Sequence, residues 1–368
     1  MNVQIFYGGL HEFGEMIPDN GIMSIVDLAI RDDAKHRSIK VDVKGNEVIE
    51  INEYEHFEVV VAYSDDYPSL TENLIESFTN FIMRYDIDNL YLQNPPDIIA
   101  KHIRDISSAK CEITYQKYTS LNLQALKEIK AGFSETIIGQ NNAQQKILGT
   151  LYEVAKGRYK KPCVILFYGN TGIGKTETAK YISEVIKQPL FRKQFSMLHS
   201  EEFSSYMFGG KHSQNSLAKE LLERESNVVL FDEFDKPHPV FYSAFYQLFD
   251  EGILVDKNYT VKMQNSIIIC TSNFLSEKNI KEQLGDPIYS RFDAVIEFEP
   301  LSKESLMIIT QKEYKKQFDK LDEEEKELVV ESGIYEKIMK VSDKLDNARQ
   351  IRRIIREAFS SIIINNLL

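Results

Sequence analysis

A chain of 368 residues exceeds what one hydrophobic core usually organises, so two or three domains are expected, each with room for its own core. Apolar residues make up 43% and charged residues 27% of a chain whose 44 Lys and Arg face 56 Asp and Glu. The resulting net charge of −12 gives a phosphate backbone or an anionic membrane little to attract, which argues against nucleic acid as a partner.

Met1–Met16 shows no basic region followed by an apolar stretch. No apolar run approaches the ~20 residues a membrane helix needs, so a cytoplasmic protein is expected. From Met1 to about residue 120 the sequence mixes extended runs with one helical pattern. Val3–Tyr7, Ser38–Val43, Val48–Asn52, Phe57–Tyr63 and Cys111–Tyr115 are β-branched or aromatic. Lys44, Gly45 and Asn46 supply turn chemistry between two of them. Leu74, Ile75, Phe78, Phe81 and Ile82 recur at helical spacing within 69–85. An α+β domain over 1–120 is expected, with no cluster of His, Cys or carboxylates spaced for chemistry; its default role is recognition or packing.

The pattern changes after a helix predicted over Leu121–Phe133. Strands then alternate with helices: Val164–Tyr168 with Glu177–Ile186, Leu217–Glu225 with Val228–Phe231, and Phe241–Phe249 with Ile267–Thr271. Such alternation predicts a parallel sheet with helices on both faces, over 121–300. Cys163 and Cys270 fall in or beside these apolar runs and, with Cys111, read as reduced structural thiols. After Pro300 four helical stretches, Leu306–Phe318, Glu324–Val330, Ile334–Val341 and Ala348–Leu367, predict a small helical domain over 301–368.

Val164–Tyr168 runs directly into Gly169, Asn170, Thr171, Gly172, Ile173, Gly174, Lys175 and Thr176, and a helix follows. This is G-x-x-x-x-G-K-T in its strand, loop, helix setting. The glycines let backbone N–H groups point inward around a phosphate, and the helix N-terminus adds its positive end. Lys175 is placed to bridge the β- and γ-oxygens of ATP, and Thr176 to ligate Mg²⁺. A second apolar strand, Val228–Phe231, ends in Asp232 and Glu233. Asp232 is the candidate second Mg²⁺ residue, and Glu233 the candidate that polarises an attacking water. Acids at the carboxyl end of a parallel strand lie where such sheets take ligands.

From about Ile137 onward these residues resemble the AAA+ ATPases, and among them the Clp unfoldase group. The run Asp232-Glu233-Phe234-Asp235-Lys236-Pro237-His238-Pro239, continuing through Gln247-Leu248-Phe249-Asp250-Glu251-Gly252, carries the resemblance most specifically. The resemblance implies that Ile138, in Ile138-Gly139-Gln140 with Ala143, borders adenine. It implies that Asn273 is the sensor-1 residue, although read alone Asn273 is better taken as a strand-end cap. Arg291, in Ser290-Arg291-Phe292-Asp293, is similar to the finger that reaches a neighbour's γ-phosphate. Arg349, in Asn347-Ala348-Arg349, is similar to the sensor-2 arginine acting in cis. A site that borrows Arg291 is completed only in an oligomer, and a closed head-to-tail contact makes a ring, by resemblance a hexamer.

Clp unfoldases grip polypeptide with a Gly-Tyr-Val-Gly loop. Here the corresponding stretch, Phe208-Gly209-Gly210-Lys211-His212-Ser213-Gln214-Asn215-Ser216, is shorter and lacks it. Two functions stay open: an ATP-driven motor that remodels a protein client chosen by the N-terminal domain, or a non-threading, nucleotide-controlled switch or scaffold in a stress or defence assembly. The charge opposes a nucleic-acid-associated role.

Overall fold

The computed structural model describes residues 1–37, 54–106, 110–197 and 200–367. The strands expected at Ser38–Val43 and Val48–Asn52, with the turn between them, lie outside the described residues. In chain order the strands are β1 (Asn2–Tyr7), β2 (Ile22–Ser24), β3 (His56–Ala62), β4 (Asp86–Gln93), β5 (Lys110–Tyr115), β6 (Cys163–Tyr168), β7 (Phe191–Gln194), β8 (Val228–Asp232), β9 (Ile253–Val255), β10 (Thr260–Lys262), β11 (Ile267–Thr271) and β12 (Ala294–Glu297). The chain folds as two compact units. One comprises Met1–Tyr118 with Leu198–Glu225 and Ser243–Met263, the other Thr119–Met197, Ser226–Tyr242 and Gln264–Leu368.

In the first unit the strands pair in the order β2-β3-β4-β1-β5, every pair parallel. Period-two alternation sends Ile5, Val60, Leu90 and Leu92 to one face, against Ile75, Phe78 and Ile99. Phe6, Val59, Val61 and Tyr91 go to the other face, with Phe13. Strands apolar on both faces suit a sheet covered on both sides. The mixture of sheet and helix expected for this region is present; the strand β4 and the uniformly parallel pairing are additions. The helix expected across 69–85 is instead two, Glu72–Glu76 and Phe78–Ile82. They break at Ser77, whose hydroxyl donates to the Asn73 carbonyl at 2.6 Å, a local bond that competes with helix continuation.

Two later segments fold with this unit. They bring the helices Ser200–Phe208 and Leu217–Leu222 and the antiparallel hairpin of β9 and β10. The Asp97 N–H donates to the Asn258 carbonyl at 2.8 Å, and the Thr260 hydroxyl donates to the Asp97 carboxylate at 2.7 Å. The Ser64 hydroxyl donates to Glu223 at 2.5 Å, while the buried Lys219 ammonium lies 3.1 Å from Asp65.

The second unit holds a parallel sheet in the order β12-β6-β11-β8-β7. Every residue of β6, β8 and β11 is buried, as their continuous apolar sequences require. Ile165, Phe167, Leu230 and Ile269 pack with Ile147 and Leu151 of the helix Asn141–Ala155 and Ile182 of the helix Lys175–Ile186. Cys163 and Cys270 are fully buried thiols in this sheet.

The C-terminal helices of this unit are Lys303–Phe318, Glu323–Glu331, Ile334–Val341 and Ala348–Leu367. They close on Leu306, Val329, Ile338, Ile351, Ile355 and Phe359. The last three recur every fourth residue on one helix face. Ser302 caps the first helix, and Asp322 with Glu325 forms a reciprocal capping box on the second. Among the described residues no helix is long and apolar enough to cross a membrane.

Candidate functional site

Within the second unit, β6 and β8 flank β11, and their loops open into a cleft of about 420 Å³. The chain leaves β6 at Tyr168 and turns through Gly169, where φ is +130°. A Cβ there would lie 2.4 Å from the Phe298 carbonyl oxygen, so only glycine fits. At Gly172, φ +75°, a Cβ would lie 3.0 Å from the Asn347 side chain. The loop is thus an inward-facing backbone concavity of the kind that fits an anion.

Lys175 is 7% exposed. Its ammonium donates to the carbonyls of Gly169 and Asn170 at 2.7 and 2.6 Å, and reaches Asn273 Oδ1 at 3.4 Å. Burial lowers its pKa to about 8, against the opposing pull of Asp235 and Asp232. An incoming polyphosphate would favour the charged ammonium further.

The acids stand at the tip of β8. Asp232 Oδ1 accepts from the Thr271 hydroxyl at 2.5 Å and from the Thr176 hydroxyl at 3.3 Å. Hydroxyl and carboxylate oxygens gathered in this way are the hard donors a Mg²⁺ ion prefers, so the residues fit that ion. Glu233 adopts φ +57°, a left-handed conformation that strains a non-glycine residue by about 1–3 kcal/mol and is commonest at functional positions. Its N–H donates to Thr271 Oγ1 at 3.0 Å, and its Oε2 accepts from Gln194 Nε2 at 3.1 Å.

The C-terminal helices supply the opposite wall. Ile309, Lys312, Glu313 and Lys316 share one face of the helix Lys303–Phe318 and line the cleft. Ala348, Arg349 and Arg352 line it from the helix Ala348–Leu367. The Ala348 N–H donates to the Gly172 carbonyl at 3.1 Å, and Arg349 Nη1 donates to Thr171 Oγ1 at 3.1 Å. Asn347 Oδ1 accepts from the Gln350 N–H at 3.0 Å and so starts this helix.

Of the residues singled out in the sequence, Ile138, Thr171, Gly172, Ile173, Gly174, Lys175, Thr176, Asp232, Glu233, Asn273 and Arg349 line this cleft. Gly169 and Asn170 form its floor through the carbonyls that hold Lys175. Arg291 is not among the lining residues; its guanidinium donates to the Pro287 carbonyl at 2.5 Å. Arg192, Gln194, Thr271, Lys312 and Arg352 are additions to the sequence reading. Arg352 pairs with Glu313 at 3.0 Å on the cleft wall. Arg192 and Gln194 sit in a strand, Phe191-Arg192-Lys193-Gln194, that is polar at three successive positions and carries no local signal of its own.

The sequence model of the AAA domain (Cdc48 subfamily) matches residues 160–327. The ATP-dependent Clp protease ATP-binding subunit ClpE of Bacillus subtilis is 26% identical over 319 residues, covering 77% of this chain and 43% of that protein. The mitochondrial disaggregase of Homo sapiens is 30% identical over 228 residues, covering 58% and 32%. The Saccharomyces cerevisiae Hsp104–ADP complex superposes with a TM-score of 0.52 at 20% identity, over 66% of this chain and 48% of that one. The chain spans less than half the length of these relatives. The family match and these relatives agree with the geometry of the cleft, and together they support a Clp-type AAA+ ATPase.

Proposed function

We propose that this chain binds and hydrolyses ATP with Mg²⁺ at the cleft, assembles head to tail with further copies into a ring, a hexamer by family resemblance, and uses turnover to remodel a protein client. The observation that carries this reading is the convergence of Lys175, Thr176, Asp232, Glu233, Asn273 and Arg349 on one cleft beside a glycine cradle. Mg²⁺, when bound, supplies charge neutralisation along the phosphate oxygens. Thr176 and Asp232 would hold it, and Lys175 would trade the two loop carbonyls for β- and γ-oxygens. Glu233 takes the proton of the attacking water, with Asn273 orienting that water from the tip of the neighbouring strand. Ile138 borders the base, as the family resemblance has it. Arg349 exchanges Thr171 for the nucleotide in cis, so the helical region 301–368 moves with phosphate state against the sheet region 121–300. Arg291 serves the neighbouring copy. Residues 1–120 choose the client.

One observation favours the second reading, a switch that does not thread polypeptide. The segment after Phe208 is tied down inside the first unit. The Phe208 carbonyl accepts from the Lys257 N–H at 3.0 Å, the Gly210 carbonyl from Asn258 Nδ2 at 3.2 Å, and Glu72 Oε1 from the His212 N–H at 3.3 Å. A remodelling motor speeds its ATP turnover when given unfolded protein and abolishes the fluorescence of a tagged client. A switch turns over ATP at the same rate with or without any polypeptide, and its oligomer size follows the bound nucleotide.

A further inference from the structure

The edge strand β7 is registered so that Gln194 lies opposite Asp232 and Arg192 opposite Leu230. Two residues apart, their side chains share a face of the strand. Gln194 reaches Glu233, and Arg192 reaches Asp232. Both Nε and Nη2 of Arg192 donate to the same oxygen, Asp232 Oδ2, at 3.0 and 2.5 Å. The other oxygen is the one facing Thr176 and Thr271.

The Asp232 side chain is 7% exposed, whereas that of Arg192 is 40% exposed and lines the cleft. A carboxylate buried to this degree requires an opposite charge, and Arg192 supplies it. A divalent cation on Asp232 and Thr176 would supply that charge instead, and would repel a guanidinium bonded to the same carboxylate. The exposed arginine is the mobile partner. It already lies in the wall of the cleft, where a polyphosphate offers oxygens suited to its fork.

We propose that Arg192 is an internal counter-cation that keeps Asp232 neutralised until a divalent ion arrives with its nucleotide, and that the displaced guanidinium then pairs with the phosphates. The inference rests on the reading of the cleft as a Mg²⁺-nucleotide site. It makes Arg192 a positioning residue: free metal competes poorly with a covalently tethered cation, and only metal delivered with phosphates that re-engage the guanidinium displaces it. Uptake of the divalent ion is thereby made conditional on nucleotide.

Mn²⁺ binding, followed through the free-ion signal in electron paramagnetic resonance, tests this on the full chain. Without nucleotide, Arg192→Ala should bind Mn²⁺ at least about tenfold more tightly than wild type, one factor of ten being about 1.4 kcal/mol. Arg192→Lys, which keeps a cation, should stay close to wild type. Arg192→Gln, similar in length but uncharged, should follow alanine and serves as the second variant should Arg192→Ala fold poorly. Equal Mn²⁺ affinity of wild type and both uncharged variants would overturn the proposal. Failure of every form to bind Mn²⁺ even with ATP would instead overturn the nucleotide-site reading beneath it.

Discussion

Glu233→Gln is expected to bind nucleotide as wild type does and to hydrolyse it on the order of a hundredfold to ten-thousandfold more slowly, the range set by losing a positioned general base. The substitution preserves shape. The backbone at residue 233 is held in its left-handed turn by the N–H bond to Thr271, and an amide oxygen can still accept from Gln194. Only basicity is removed. Phosphate release under saturating ATP, set beside titration with a fluorescent nucleotide, separates the two effects. A turnover rate close to wild type would remove Glu233 from the role of base. A parallel fall in affinity would mean that the carboxylate supports binding rather than chemistry.

Arg291→Ala should lower turnover by about a thousandfold, the lower end of what a finger arginine contributes, with little change in nucleotide affinity. Arg291 follows the short helix Asp286–Tyr289, donates to the Pro287 carbonyl, and does not line the cleft of its own chain. A role in chemistry therefore calls for a second copy. Mixing Arg291→Ala chains with Glu233→Gln chains should recover activity that neither has alone, because an alanine chain's intact base can then be completed by its neighbour's arginine. If no mixing ratio restores turnover, the shared site is wrong. A loss of nucleotide affinity in the alanine variant itself would point to a role within one chain.

The glycine-rich loop and the acidic end of β8 were legible because each is local. A buried parallel strand reads as an unbroken apolar run, and the loop after β6 depends on glycines whose positions cannot be traded. The C-terminal helices were legible as four helical stretches after Pro300. The N-terminal sheet was harder. β4, Asp-Ile-Asp-Asn-Leu-Tyr-Leu-Gln, opens with polar residues that hide a strand, and Ser77 interrupts a helical pattern whose apolar positions are otherwise faultless. Parallel pairing of β1 with both β4 and β5 joins residues about 90 to 110 apart in sequence, which no local period records. The same holds for the packing of Leu217–Leu222 and the β9–β10 hairpin with the first unit. Arg192 and Gln194 escaped because a four-residue edge strand has no periodicity to measure. Their meaning comes only from register against Asp232.

On the proposed function, a triphosphate held at a strand's end is cleaved only where a second copy completes the site. ATP turnover per chain, measured across a dilution series with sedimentation reporting assembly, tests it most directly. Turnover per chain should fall toward zero as assemblies give way to single chains; constant turnover from isolated chains at high dilution would rule out the shared site.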